Sequence, residues 1–346
     1  MNPDRSYLLG ELLKNVSRSF YLTLRVLPEG LREPIGLAYL LARAADTIAD
    51  TEAVPPARRL EHLLSFRAQV NAGADAARLA AIRAALTGQQ AHRHERILLE
   101  SLHPALDFLR ELSEFDREQV TRVVTILTQG MEFDLTAFPD ETSGQLAALN
   151  TQVELENYTY LVAGCVGEFW TNMTAAHSGA FSGRDLPGLR ACGIRFGKAL
   201  QYTNVLRDCP KDLRIGRCYL PQVLLHGAGL IPADLLAPGN SARARPVLAG
   251  LLRVALEHYR EAKRYILTIP PSYGRLRLAC LWPVLIGLET LILLAANEHW
   301  LDPAFASKIT RRHVYRILCL SLPAVGSDTL VESWIESRIA KLESTL

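Results

Sequence analysis

Apolar residues recur three and four positions apart along nearly the whole chain, as in "VTRVVTIL" and "LLRVALEHYREAKRYIL", while apolar–polar alternation is almost absent. Spacing near 3.6 gathers side chains on one face of a helix, whereas half-buried strands need a period of two. The expected fold class is therefore all-α. Pro, Gly, Asn and Asp gather at "AVPPARR", "NAGAD", "LTGQQAHRHER", "FPDETSG", "FSGRDLPG", "LIPADLLAPGNSARARP", "TIPPSYG" and "WLDPA". These breaks delimit roughly ten helices of ordinary length. No break has the length or polarity of an interdomain linker, and no repeat of fixed period is visible, so residues 1–346 are expected to form a single helical domain.

Composition sets outer bounds on function. Hydrophobic residues make up 49% and charged residues 21% of 346, an ordinary balance for a folded globular chain. A formal charge of +2 gives no argument for a nucleic-acid partner. Six cysteines without CxxC spacing suggest neither a zinc site nor a disulfide framework, and reduced thiols in a cytoplasmic protein are expected. "MNPDRSYLLGELLKNVSRSF" lacks the basic start and unbroken apolar core of a secretory signal. The most apolar run, "CLWPVLIGLETLILLAA" (280–296), falls short of the usual spanning length of about 20 residues and contains Glu289 and Pro283, so a buried core helix is expected. Peripheral membrane contact stays open, and no protein partner is expected.

Against this apolar background two charged constellations stand out. In "ARAADTIAD" (42–50), Asp46 and Asp50 lie four apart and share a helix face with Arg43 one turn earlier. In "LQYTNVLRDCPKDLRIGRCYLP" (200–221), Asn204, Asp208 and Asp212 follow at spacings of four, with Gln201 and Arg207 alongside. Two DxxxD pairs alone are a weak signal; the adjacent arginines and amides strengthen it. Close carboxylates repel unless a cation or proton relieves them. Mg²⁺ is a hard ion held by one or two carboxylates together with substrate phosphates, and arginine forks match diphosphate oxygens. Together they would stabilise the charge that develops on a departing diphosphate. Pro210 removes a helical N–H and disfavours helix at Cys209, so a kink is expected between Asp208 and Asp212.

Four blocks, "SRSF" (17–20), "YLLARAADTIAD" (39–50), "YTYLVAGCVGEF" (158–169) and "LQYTNVLRD…GRCYLP" (200–221), resemble, in order, those of the squalene/phytoene synthase family. The resemblance implies an isoprenoid synthase helix bundle with a central apolar cavity, the two aspartate pairs facing across it. It also implies head-to-head joining of two prenyl diphosphates through a cyclopropyl diphosphate. Position by position, Asp46, Asp50, Asp208 and Asp212 match the two aspartate motifs and Asn204 a further Mg²⁺ ligand. Ser17, Arg18, Ser19, Phe20, Tyr39, Arg43, Gln201, Arg207 and Arg217 match diphosphate or substrate contacts. Tyr158 matches a tyrosine near the reacting carbons, where a phenol could relay a proton and its ring stabilise a carbocation.

The chain departs from the squalene branch at Ala49 and Lys211, where an acidic residue is common. Its last third nevertheless resembles that branch, and Lys308 and Arg311 in "SKITRRHVYRIL" match a basic segment that contributes to NADPH binding. A solvated basic face explains the same residues. No GxGxxG follows a strand, which excludes a Rossmann cofactor domain. The expected activity is thus Mg²⁺-dependent conversion of farnesyl diphosphate to presqualene diphosphate, with NADPH reduction to squalene. Phytoene, dehydrosqualene or presqualene diphosphate synthesis are the near alternatives, and a catalytically silent helical interaction protein the distant one. "HRHER" (92–96) reads as a solvated loop and "GMEFDL" (130–135), with Glu132 and Asp134, as structural. "GRCYLP" offers Arg217 and Tyr219 as a lid over diphosphate.

Overall fold

The structure is a computed structural model that describes residues 5–17, 20–90 and 92–346. It forms two compact units, Met1–Ala137 with Asn172–Ser178, and Phe138–Thr171 with Gly179–Leu346. In the first unit the principal helices are α1 (Glu29–Ala49), α2 (Pro56–Ala72), α3 (Arg93–Glu100) and α4 (Glu114–Ala137). In the second they are α5 (Gln152–Thr159), α6 (Cys165–His177, whose residues from Asn172 belong to the first unit), α7 (Leu186–Asp212), α8 (Ser241–Thr268), α9 (Gly274–Ala296), α10 (Arg311–Ala324) and α11 (Asp328–Glu343). Helical segments outnumber the ten expected because short 3₁₀ and π turns divide several runs.

Among the described residues the fold is all-α apart from β1 (Ala147–Ala148) and β2 (Arg217–Cys218), two short parallel strands in the second unit. Gly216 turns the chain into β2 at φ +84°, and a Cβ there would meet the Gln145 carbonyl oxygen at 2.5 Å, so glycine is required.

In the first unit the apolar stripe of α1, including Leu37, Leu41, Ala45 and Ile48, is buried against α2 and α4. Arg59, 1% exposed, donates from Nη1 to the Ala49 carbonyl at 2.9 Å. A guanidinium at the helix C-terminus satisfies a terminal carbonyl and meets the negative end of the dipole. It fixes the turn that carries Asp50.

In the second unit the span Pro271–Ala296 is long and apolar enough to cross a bilayer, and most of it is buried in the protein. Its charges have partners. Fully buried Arg277 donates to Asp328 at 2.6 Å, and Glu289 accepts from Arg338 at 3.0 Å. Both bonds tie α9 to α11, which explains ionisable residues inside so apolar a sequence.

Candidate active site

The first motif stands at the C-terminal end of α1. Tyr39, Arg43, Asp46 and Asp50 follow at helical spacing, and Asp50 is the C-cap residue. Arg43 donates from one guanidinium nitrogen to Asp46 and from the other to Glu95 of α3. Glu95 was hidden in "HRHER", which is not a loop: its Arg93–Arg96 portion is the first turn of α3, where a carboxylate suits the helix dipole. An acid ahead of the apolar run Ile97–Leu99 was the available signal. Burial raises the Asp46 carboxyl above its ordinary value; Arg43 opposes this and Glu95 adds to it. The Arg43 guanidinium is itself raised, since Asp46 and Glu95 outweigh the cost of burying it. One arginine thus serves two carboxylates, and a further cation would relieve the excess.

The second motif lies in the last three turns of α7. Asn204 donates to Gln201 Oε1 at 3.3 Å. Arg207 grips both carboxylate oxygens of Asp208, from Nε at 3.0 Å and from Nη2. That bond, against burial and aided by Asp208 and Asp212 charge, raises the Arg207 guanidinium. The helix α7 runs without a break across Pro210. The proline sits in the last turn, where its missing N–H removes one ladder bond and its ring is buried. Asp208 and Asp212 therefore share one helix face.

The placing of α7 follows from four glycines. A Cβ on Gly167 would lie 1.8 Å from the Gly193 carbonyl oxygen, and one on Gly193 would lie 2.6 Å from that of Gly167. One on Gly197 would meet the Ala163 oxygen at 2.1 Å and the Gly164 Cα at 3.0 Å. Backbone therefore lies on backbone where α7 crosses the π turn Tyr160–Gly164 and the start of α6. This contact accounts for the "AGCVG" of the third block.

Tyr158 is the penultimate residue of α5, just before that π turn. It is 6% exposed and stacks on Tyr219, with ring centroids 4.7 Å apart and planes at 23°. Phe138 meets Tyr219 edge-on at 5.0 Å. In "GRCYLP", Arg217 and Cys218 pair with β1, and Arg217 donates to Glu141 at 2.6 Å. Arg217 is thereby brought to an acid that sequence reasoning passed over.

A second missed carboxylate is Glu156 on α5. It accepts from Lys198 Nζ at 2.6 Å and Tyr202 OH at 2.5 Å, both on α7, and lies 3.3 Å from His258 Nε2 on α8. Burial opposes its charge, but bonds from His258, Lys198 and Tyr202 outweigh that and lower the carboxyl to about 2. A partner 102 residues away leaves no local trace in sequence.

Ser17 is buried and donates to the Leu13 carbonyl at 2.5 Å. Arg18, Ser19 and the side chain of Phe20 lie outside the described residues. Lys308 and Arg311 are exposed, in and just after the loop preceding α10. Glu132 accepts from Arg67 at 2.6 Å. Ala49 is buried and Lys211 exposed. All six cysteines are free, and burial raises the Cys218 thiol to about 12.

Among the described residues no three His, Cys, Asp or Glu side chains converge as a metal site. The donors are hard oxygens in pairs, which fits Mg²⁺ shared with substrate phosphates better than an ion caged by protein alone.

The profile of the squalene/phytoene synthase family matches residues 13–314, and the chain belongs to that family. It is 31% identical to a bifunctional lycopene cyclase/phytoene synthase of Colletotrichum graminicola, over 75% of this chain and 41% of that one. It is 25% identical to a squalene synthase of Schizosaccharomyces pombe, over 74% and 53%. A presqualene diphosphate synthase of Zymomonas mobilis is 30% identical over 74% of each chain. The chain thus spans about two fifths to half of the first two relatives. A solved dehydrosqualene synthase shares the fold, with a TM-score of 0.64 at 21% identity over 96% of each chain. Transferase chemistry in isoprenoid biosynthesis is the activity common to the family.

Proposed function

We propose that this protein is a squalene synthase: it joins two farnesyl diphosphates head to head as presqualene diphosphate and reduces that intermediate to squalene with NADPH. The observation that carries the reading is the pair of DxxxD motifs, each with a guanidinium bonded to its leading aspartate, on one helix of each unit. Asp46, Asp50, Asn204, Asp208 and Asp212 would hold Mg²⁺, which supplies charge stabilisation for the leaving diphosphate. Arg43 and Arg207 would exchange a carboxylate oxygen for a diphosphate oxygen, a trade between similar charge-assisted bonds. The Tyr158 ring offers a π face to a cation, and its phenol a proton relay. Its burial with Tyr219 and Phe138 keeps water from capturing that cation as an alcohol. Lys308 and Arg311 would contribute to NADPH binding.

A second reading, synthesis that stops at presqualene diphosphate, is favoured by the Zymomonas mobilis relative, matched over equal shares of both chains. Incubation with farnesyl diphosphate and Mg²⁺, with and without NADPH, separates the two. Squalene formed only with NADPH supports the first reading; presqualene diphosphate in both supports the second. Dehydrosqualene in both overturns the reductive step, and preference for geranylgeranyl diphosphate points to phytoene.

A further inference from the structure

Helix α10, "RRHVYRILCLSLPA", turns one side to the protein and leaves the other uncovered. Ile317, Ser321 and Ala324 are buried; Ser321 Oγ accepts from Trp282 Nε1 of α9 at 2.8 Å, and His313 lies 3.7 Å from Glu289. The opposite face carries Arg312, Tyr315, Arg316, Cys319 and Leu322, at successive spacings of three, one, three and three, all exposed. Tyr315 is 62% exposed, Leu322 59% and neighbouring Leu320 49%. The helix contains no acidic residue. Among the described residues Arg311, Arg312 and Arg316 make no ion pair.

We propose that this face of α10 docks on an anionic lipid bilayer. The cations occupy the N-terminal half of the helix and the large apolar side chains the C-terminal half. A bilayer of acidic lipid offers phosphates and hydrocarbon on one surface, matching both halves. A nucleic acid offers only the phosphates. A second copy of the same face brings no acid to the arginines, so self-association leaves them unpaired. The inference does not depend on which product the protein makes.

Cys319, exposed in the middle of the face, is the probe position; the other five cysteines are buried or half-buried. The full chain, labelled there with a polarity-sensitive fluorophore, is titrated with vesicles of phosphatidylcholine alone or mixed with phosphatidylglycerol. A blue shift and co-sedimentation with the mixed vesicles only are expected, weakening with salt. Roughly fivefold affinity is expected per cation, so Arg312→Glu with Arg316→Glu lowers binding at least tenfold. Leu320→Ser with Leu322→Ser lowers it as well, and both double variants keep the wild-type melting temperature. No binding to the mixed vesicles, or binding equal in both double variants and wild type, overturns the proposal. So does a dimer abolished by the leucine variant, or NADPH binding abolished by the arginine variant, in the absence of vesicle binding.

Discussion

Tyr158 lies face to face with Tyr219, ring centroids 4.7 Å apart, joining the end of α5 to the residue that follows β2. The stack holds a phenol in a fixed orientation beside two further rings' worth of apolar surface. Tyr158→Phe keeps the ring and loses the hydroxyl. If the phenol relays a proton, kcat falls about 10²-fold or more while the melting temperature is unchanged. Tyr158→Ala also loses the stack, worth about 0.5–1.5 kcal/mol beyond its area, and lowers the melting temperature as well. Steady-state kinetics and thermal melts of both variants separate the roles.

Backbone contact between the π-turn region and α7 tolerates no side chain. Gly167→Ala places a Cβ 1.8 Å from a carbonyl oxygen, so the helices must move apart. A loss of roughly 1–3 kcal/mol or more is expected in denaturant unfolding, with activity falling alongside as α7 shifts. Gly227→Ala, where nothing lies within 4 Å of the new methyl, is the matched control and should leave both unchanged.

Glu156 gives the fold an acid-sensitive joint. Its folded carboxyl, at about 2, is below the ordinary 4.5, so the unfolded chain binds the proton more readily. The stability it contributes is complete above pH ~4.5 and is lost as pH falls toward ~2. Glu156→Gln therefore unfolds more easily than wild type at pH 7, and the gap narrows on acidification through that window. Chemical denaturation at pH 7, 4 and 3 checks the sign.

Arg43 stands between two carboxylates, so its removal leaves Asp46 and Glu95 repelling across a half-buried site. Arg43→Met should weaken farnesyl diphosphate binding, seen as KM rising at least tenfold. Glu95→Gln, which keeps the bond to Arg43 without its charge, should change KM by only a few-fold.

The long helices were legible because their burial depends on apolar spacing within one segment, as in α1 and α8. Arg43, Asp46 and Asp50, and Asn204, Asp208 and Asp212, were legible for the same reason, since a shared face follows from separations of three and four. Pro210 does not end α7, because in the last turn its missing N–H removes a single ladder bond while Cys209 and Pro210 are buried. Glu95 was lost in a break whose polar composition masked a helix start. Glu141 and Glu156 left no sign, because each finds its partner through chain separations of 76 and 42 to 102 residues. The β1–β2 ladder, two residues per strand, is too short to show a period.

The central claim is head-to-head coupling, and it is tested most directly by stoichiometry without a reductant. With farnesyl diphosphate and Mg²⁺ alone, inorganic diphosphate and presqualene diphosphate are measured in the same reaction. The expected result is one inorganic diphosphate released per two farnesyl diphosphates consumed, matched by accumulating presqualene diphosphate and abolished in Asp46→Asn and Asp208→Asn proteins that melt as wild type does. Undiminished turnover in those variants, or no coupled C30 diphosphate from the wild type, would contradict it.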